Sequence, residues 1–249
     1  SSSSRGLGDV YKRQDLAVLS RNYQVFQGFH TYLMTLDISL IYLDINSNLN
    51  RGKMAARLGI SKADVIDTAF ELLEETQNVQ AVTMTAVAAR LGIRVQSLYA
   101  HVDGTQGLQR EIALRSLQKL AQRLNQAAIG VAGIDAVRSV LKAQFDFALK
   151  HPAEFAASIY PPGTDPQMLE AIHDVNYPMH TILHNAGIDD AVITHWSRLV
   201  LSTISGFSAL HQNGKLTLPI STKDSMNYII NVLVCDVEEK LATPSMISS

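Results

Sequence analysis

From residue 54 onward, apolar side chains recur at intervals of three and four, and alternation of β-branched residues is scarce, so the pattern predicts helices almost throughout. Ser61 followed by Asp64 reads as a helix N-cap with a first-turn acid. Val65, Ile66, Ala69, Phe70, Leu72 and Leu73 then make one apolar face up to Glu75, broken by Gln77-Asn78. A second helix is predicted after Thr83 and runs to Leu91, where Gly92 supplies a left-handed cap. A third covers residues 94–101, Asp103-Gly104-Thr105 forms a turn and fresh cap, and a longer helix covers 106–126. Helices over 134–150 and 153–160 are stopped by His151-Pro152 and by Pro161-Pro162-Gly163. A helix over 167–185 contains Pro178, which predicts a kink or a break. The last two helices span 190–212, ending at Asn213-Gly214, and 222–241. There is no internal repeat, and the expected fold class is all-α with about nine helices.

The chain has 249 residues, of which 47% are hydrophobic and 18% charged, a globular composition. Its 21 basic and 23 acidic residues leave a net charge of −2, which excludes a polybasic protein. A single cysteine, Cys235, excludes an internal disulfide framework and a CxxC-type zinc site, and fits a reducing, cytoplasmic compartment. The apolar stretch from Tyr32 to Leu43 is interrupted by Asp37 and followed by Asp44, too short for the roughly 20 residues of a membrane span.

The first 53 residues read as foreign to the fold, either a cloning and upstream-translation artefact or a disordered extension. Ser1 to Gly8 is tag-like, and Asp9-Val10-Tyr11-Lys12-Arg13-Gln14 can be back-translated to a transposon end used in sequencing libraries. Arg51-Gly52-Lys53 can be written as a purine-rich ribosome-binding site before Met54, the expected native start. The competing expectation is a genuine extension with an amphipathic segment around residues 24–43.

Residues 83–93 carry a specific chemical logic. Alanines at 86, 88 and 89 allow close helix approach, Gly92 makes a tight turn, and Ile93 plugs the corner. That is the helix-turn-helix arrangement, whose second helix enters the DNA major groove. Arg94, Gln96, Ser97, Tyr99 and His101 follow, able to reach base edges and phosphates, while Val95 and Leu98 can pack inward. Residues 54–104 hold four bases against six acids, net −2, whereas DNA-binding domains are usually basic.

At these residues the chain resembles the TetR family of transcriptional regulators. Ser61 to Phe70, Thr83 to Ile93 and Leu98-Tyr99-Ala100-His101 are similar to the family's three N-terminal helices. Val102 stands where the family has a core phenylalanine, and Gln106 where it has a phosphate-contacting lysine, which predicts weaker or differently salt-dependent DNA binding. The resemblance implies phosphate contacts from Thr85, Tyr99 and His101, a backbone contact from Lys62, and base contacts from Arg94, Gln96 and Ser97. It divides the chain into a DNA-binding domain over 54–104 and a C-terminal helical ligand-binding and dimerisation domain over 105–249.

In the second half, Phe145 to Phe155 resembles the family's aromatic-x-x-Ala-x-x-His-Pro-x-x-aromatic segment. Ser205-Gly206-Phe207 with Leu218-Pro219 resembles the subgroup with a WHG-type C-terminal domain, Ser205 standing for the usual histidine. Two broad apolar faces predict a twofold four-helix dimer interface through Leu199, Thr203, Gly206, Phe207, Leu210, Ile229, Ile230 and Leu233. Gly206, unfavourable in a helix interior, predicts close helix approach. An apolar ligand pocket is expected to draw on Phe147, Met168, Ile172, His173, Tyr177, His180 and Trp196.

His180 and His184 match a two-histidine metal spacing, with Asp174 near in sequence, but no Glu follows His180 as in HExxH and Pro178 interrupts the alignment with His173. The sequence therefore names no metal ligand set and no cofactor. The expected function is a bacterial-type, ligand-responsive repressor, binding a palindromic double-stranded DNA operator as a homodimer and responding to an unidentified small-molecule effector. Two alternatives are an all-helical metal-dependent enzyme built on His180 and His184, for which no nucleophile–base pair is visible, and a degenerate dimeric regulator that no longer binds DNA.

Overall fold

A computed structural model describes residues 59–242. The expectations for the first 53 residues, including the amphipathic segment, lie outside the described residues. Within them the chain forms nine α-helices and one 3₁₀ turn, with no strand. None of these helices is long and apolar enough to cross a membrane.

Helix α1, Lys62–Thr76, begins in a reciprocal cap: the Asp64 N–H donates to Ser61 Oγ at 3.2 Å, and the Ser61 N–H donates to Asp64 Oδ2 at 2.8 Å. The 3₁₀ turn Val79–Ala81 leads to α2, Met84–Leu91, where the Ala86 N–H donates to Thr83 Oγ1 at 3.1 Å. Gly92 ends α2 at φ +68°, a conformation glycine adopts without strain. The Ile93 N–H then donates to the Ala88 carbonyl at 3.0 Å. Helix α3, Val95–Leu98, is shorter than the predicted 94–101. Both His101 and Val102 donate to the Leu98 carbonyl, at 2.9 and 3.0 Å, so the chain turns early and buries Val102.

Helix α4, Gly104–Ala128, is 25 residues long, about 37 Å at the usual helical rise. It contributes to two hydrophobic cores. The first joins Val65, Phe70, Leu73, Val87, Leu98 and Val102 to Leu108 and Ile112 of α4. The second takes Leu117, Leu120 and Leu124 of α4 and residues from α5 (Gly133–Lys150), α7 (Pro166–Asn185), α8 (Asp190–Gln212) and α9 (Thr222–Ala242). Helix α6, Pro152–Ser158, gives Ala153 and Ala157 to the first core and Phe155 to the second. The first core therefore extends past residue 104.

Pro178 lies inside α7 without breaking it. Proline removes one backbone hydrogen bond. The buried stripe Met168, Ala171, Val175, Met179 and Leu183 holds the helix against the second core across that gap.

Two polar ties cross the long helix. The Arg110 guanidinium grips Asp165, with Nη2 to Oδ1 at 3.0 Å, and joins the start of α7 to α4. Asp165 also accepts the Gln167 N–H at 3.0 Å as the α7 cap. The second tie is the buried carboxylate of Glu154, met by Lys119 Nζ at 2.7 Å and His151 Nδ1 at 3.3 Å. Lys119 Nζ also lies 3.4 Å from Glu74 on α1.

Removing one partner of a buried ion pair strands the other, at about 3–5 kcal/mol. Lys119→Met should therefore lower the unfolding free energy by about 3 kcal/mol in urea titration, and the double variant Lys119→Met/Glu154→Gln should recover much of the loss. The Arg110 hydrogen bond, together with the cap, holds the Asp165 pKa below its ordinary 3.8. A depressed carboxylate contributes stability above its unfolded pKa and loses it as pH falls through the folded one. The stability gap between the parent and Asp165→Asn should thus be constant near neutrality and close as pH falls below about 4, read from urea midpoints.

Candidate nucleic-acid interface and ligand cavity

The two-helix corner forms as its residues dictate. Ala88 is buried at the crossing and Ala86 partly so, whereas Ala89, expected at the contact, is exposed. Leu98 is fully buried and Val95 packs against the same core, which turns the opposite face of α3 outward. Arg94, Gln96, Ser97 and Tyr99 are all exposed on that face, Tyr99 at 61%. Among the described residues Arg94 pairs with no acid. Thr85 is exposed in the first turn of α2, where helix N-termini favour phosphate. His101 is half-buried beside the turn. Lys62 is exposed and pairs with Glu111 Oε1 at 2.8 Å.

The acidic balance of the head is largely internal. Asp67 pairs with Arg115, Glu74 with Lys119, and Glu75 with Arg90 on α2. The last contact is a fork, with Nη1 to Oε1 at 2.8 Å, and the Arg90 hydrogen bond keeps Glu75 below the usual carboxylate range. Asp64 is likewise lowered by the Ser61 hydroxyl and amide in the cap. Two of these partners, Arg115 and Lys119, lie on α4 outside residues 54–104, so a count over that span overstates the negative field near DNA. Arg115 also stacks on the Phe70 ring at 4.5 Å.

A cavity of about 560 Å³ opens between α4, α5, α6, α7 and α8. Of the expected ligand residues, Ile172, His180 and Trp196 line it. The other four do not. Phe147 is buried against His151 and Arg123, with ring centroids 5.3 Å apart for the first pair. Met168 is absorbed in the core beneath α7. His173 and Tyr177 are exposed and face each other at 5.8 Å, with His173 beside Asp174. Helical periodicity placed them one face too far around. The wall also includes Gln144, Asn176, Thr194 and Arg198, polar residues that no spacing rule singles out. Trp196 is 4% exposed, and its indole N–H meets no acceptor among the described residues.

The expected pairing surface divides in two. Leu199 and Leu210 are exposed, Gly206 is exposed, and Thr203 and Ile229 are half-buried. Phe207, Ile230 and Leu233 are instead core residues of the protomer, with Phe207 edge-on to Phe145 at 6.0 Å. The pattern marked apolar stripes correctly but could not tell the half facing α5 from the half facing out. Leu201, Tyr228 and Val232 are the outward apolar residues it passed over. A Cβ built on Gly206 meets nothing within 4 Å, so protomer packing does not require this glycine.

Comparison with known proteins agrees with this geometry. Residues 137–233 match the family model of the tetracyclin repressor-like C-terminal domain. An uncharacterised HTH-type transcriptional regulator of Bacillus subtilis, YobS, is 26% identical over 63% of this chain and 82% of its own length. A second such regulator, Rv0681 of Mycobacterium tuberculosis, is 27% identical over 62% of this chain and 72% of its own. A crystal structure described as a possible TetR family regulator of Streptomyces coelicolor A3(2) superposes with a TM-score of 0.58 at 14% identity, covering 72% of this chain and 99% of that one. The fold, with the exposed face of α3, is similar to that of helix-turn-helix transcriptional regulators. The chain is similar to the TetR family through residues 137–233 and through these two regulators, and it shares the fold of the Streptomyces structure.

In gel-shift titrations Arg94→Ala should flatten discrimination between operator and mutated operator by about 1–3 kcal/mol. Tyr99→Ala should weaken operator and unrelated DNA alike. Both side chains are exposed, so neither substitution should move the thermal midpoint.

Proposed function

We propose that this regulator is a ligand-responsive repressor, acting in the cytoplasm as a homodimer on a palindromic operator. The observation that carries this reading is the double role of α6. Its Ala153 and Ala157 are seated in the core of the DNA-reading head, while Phe155 and Ser158 line the cavity. A molecule that moves one face of this seven-residue helix moves the other. The effector is a mainly apolar small molecule with a hydrogen-bond acceptor. The apolar wall and the unpartnered indole N–H of Trp196 support that class.

Dimerisation is supported by the outward apolar residues of α8 and α9, Leu199, Leu201, Leu210, Tyr228 and Val232, with Gly206 as the point of closest approach. A twofold pair would present two α3 helices to successive major grooves, about 34–36 Å apart. The effector acts by binding the two head spacings unequally, since only a difference in affinity shifts their populations.

The test joins oligomeric state to DNA binding. Light scattering should give twice the chain mass for the parent and a monomer for Gly206→Arg, and the monomer should lose operator binding in gel shift while keeping its circular dichroism spectrum. Trp196 is the sole tryptophan, so effector candidates can be titrated by its fluorescence. A true effector changes that signal and releases the operator over the same concentration range. A monomeric parent that binds operator at full affinity would sink the homodimer reading.

A further inference from the structure

We propose that His180, His184 and Asp190 form a binding site for a divalent transition-metal ion of the zinc, cobalt or nickel class. Helical spacing puts both imidazoles on one face of α7, with rings 12° from parallel and centroids 5.6 Å apart. The turn through Gly187 and buried Ile188 returns the chain so that Asp190, the first residue of α8, meets both rings. Asp190 Oδ1 lies 3.2 Å from His180 Nε2 and 3.0 Å from His184 Nδ1. All three donor atoms fall within 4.8 Å of one another.

Those separations suit a shared ion. Bonds of about 2.0–2.2 Å in tetrahedral geometry set neighbouring donors roughly 3.4 Å apart, and both histidine–aspartate distances already approach this. Only the two imidazole nitrogens must close up, and both rings are exposed and free to do so. Two imidazoles and one carboxylate select borderline metals over magnesium or calcium, which prefer all-oxygen shells. The neighbouring acids have other work: Asp189 accepts the Ala191 N–H at 2.8 Å as the α8 cap, and Asp174 sits with His173. Three protein ligands leave a fourth coordination position to solvent. Because His180 also lines the cavity, the ion would pin the α7–α8 corner at the cavity wall.

Isothermal titration of chelator-stripped full-length protein with zinc chloride tests this. The expected result is one saturable ion per chain and a thermal midpoint that rises with zinc. His184→Ala and Asp190→Asn should each weaken binding by about tenfold or more and abolish the thermal shift. His173→Ala on the same helix and Cys235→Ser should bind like the parent, and circular dichroism should show every variant folded. The site is overturned if the parent shows no saturable binding up to about 100 μM zinc. It is equally overturned if His184→Ala and Asp190→Asn bind as tightly as the parent, or if binding follows His173 or Cys235.

Discussion

A carboxylate is expensive to place away from water, and Glu154 is the only acidic residue buried among those described. Its position is tolerated because Lys119 reaches it from α4 and His151 from the start of α6. The same ammonium lies near Glu74 on α1 and 5.3 Å from the Phe70 ring. One cation thus touches the reading head, the long central helix and the helix that walls the cavity. Apolar packing of Ala153, Phe155 and Ala157 seats α6 in both cores but carries no directional contact. The Lys119–Glu154 contact adds one, since its energy depends on distance and geometry. The short helix that touches both cores is thereby held in a definite place.

The same principle of placed charge resolves the acidity of the head. Asp67, Glu74 and Glu75 are turned toward Arg115, Lys119 and Arg90, and their charge is compensated within the protein. The outward face of α3 carries Arg94 among polar neighbours. Few phosphates can be neutralised by such a surface, which implies modest non-specific affinity for DNA and a larger share from base contacts.

Much of the fold was legible because its signals are local. Ser61-x-x-Asp64, Thr83 and Gly92 act on backbone groups a few residues from themselves, so spacing alone reveals them, whereas the caps at Asp165 and Asp189 emerge only in the structure. The recognition face was legible for a related reason: burying Val95 and Leu98 forces Arg94, Gln96, Ser97 and Tyr99 outward on a single turn. The cavity was only half legible. Ile172, His180 and Trp196 reach it, but Phe147 and Met168 were taken by the core, and His173 and Tyr177 point to solvent. Periodicity gives a helix its apolar side, yet a buried helix has several neighbours, and which one a side chain meets depends on crossing geometry that no single helix encodes.

By itself, then, the sequence determined most of the helices, the caps at Ser61 and Thr83, the glycine turn after α2 and the residues that corner exposes, because each rests on contacts a few positions apart. Tertiary structure decided three other things. It split the stripes of α8 and α9 between an inner half on the core and an outer half at the surface. It bound Lys62 to Glu111 and Arg110 to Asp165 across 49 and 55 residues. It brought Asp190 rather than Asp174 to His180 and His184. Each depends on how two helices lie against each other, which is set by the packing of the whole core and not by the period of either helix.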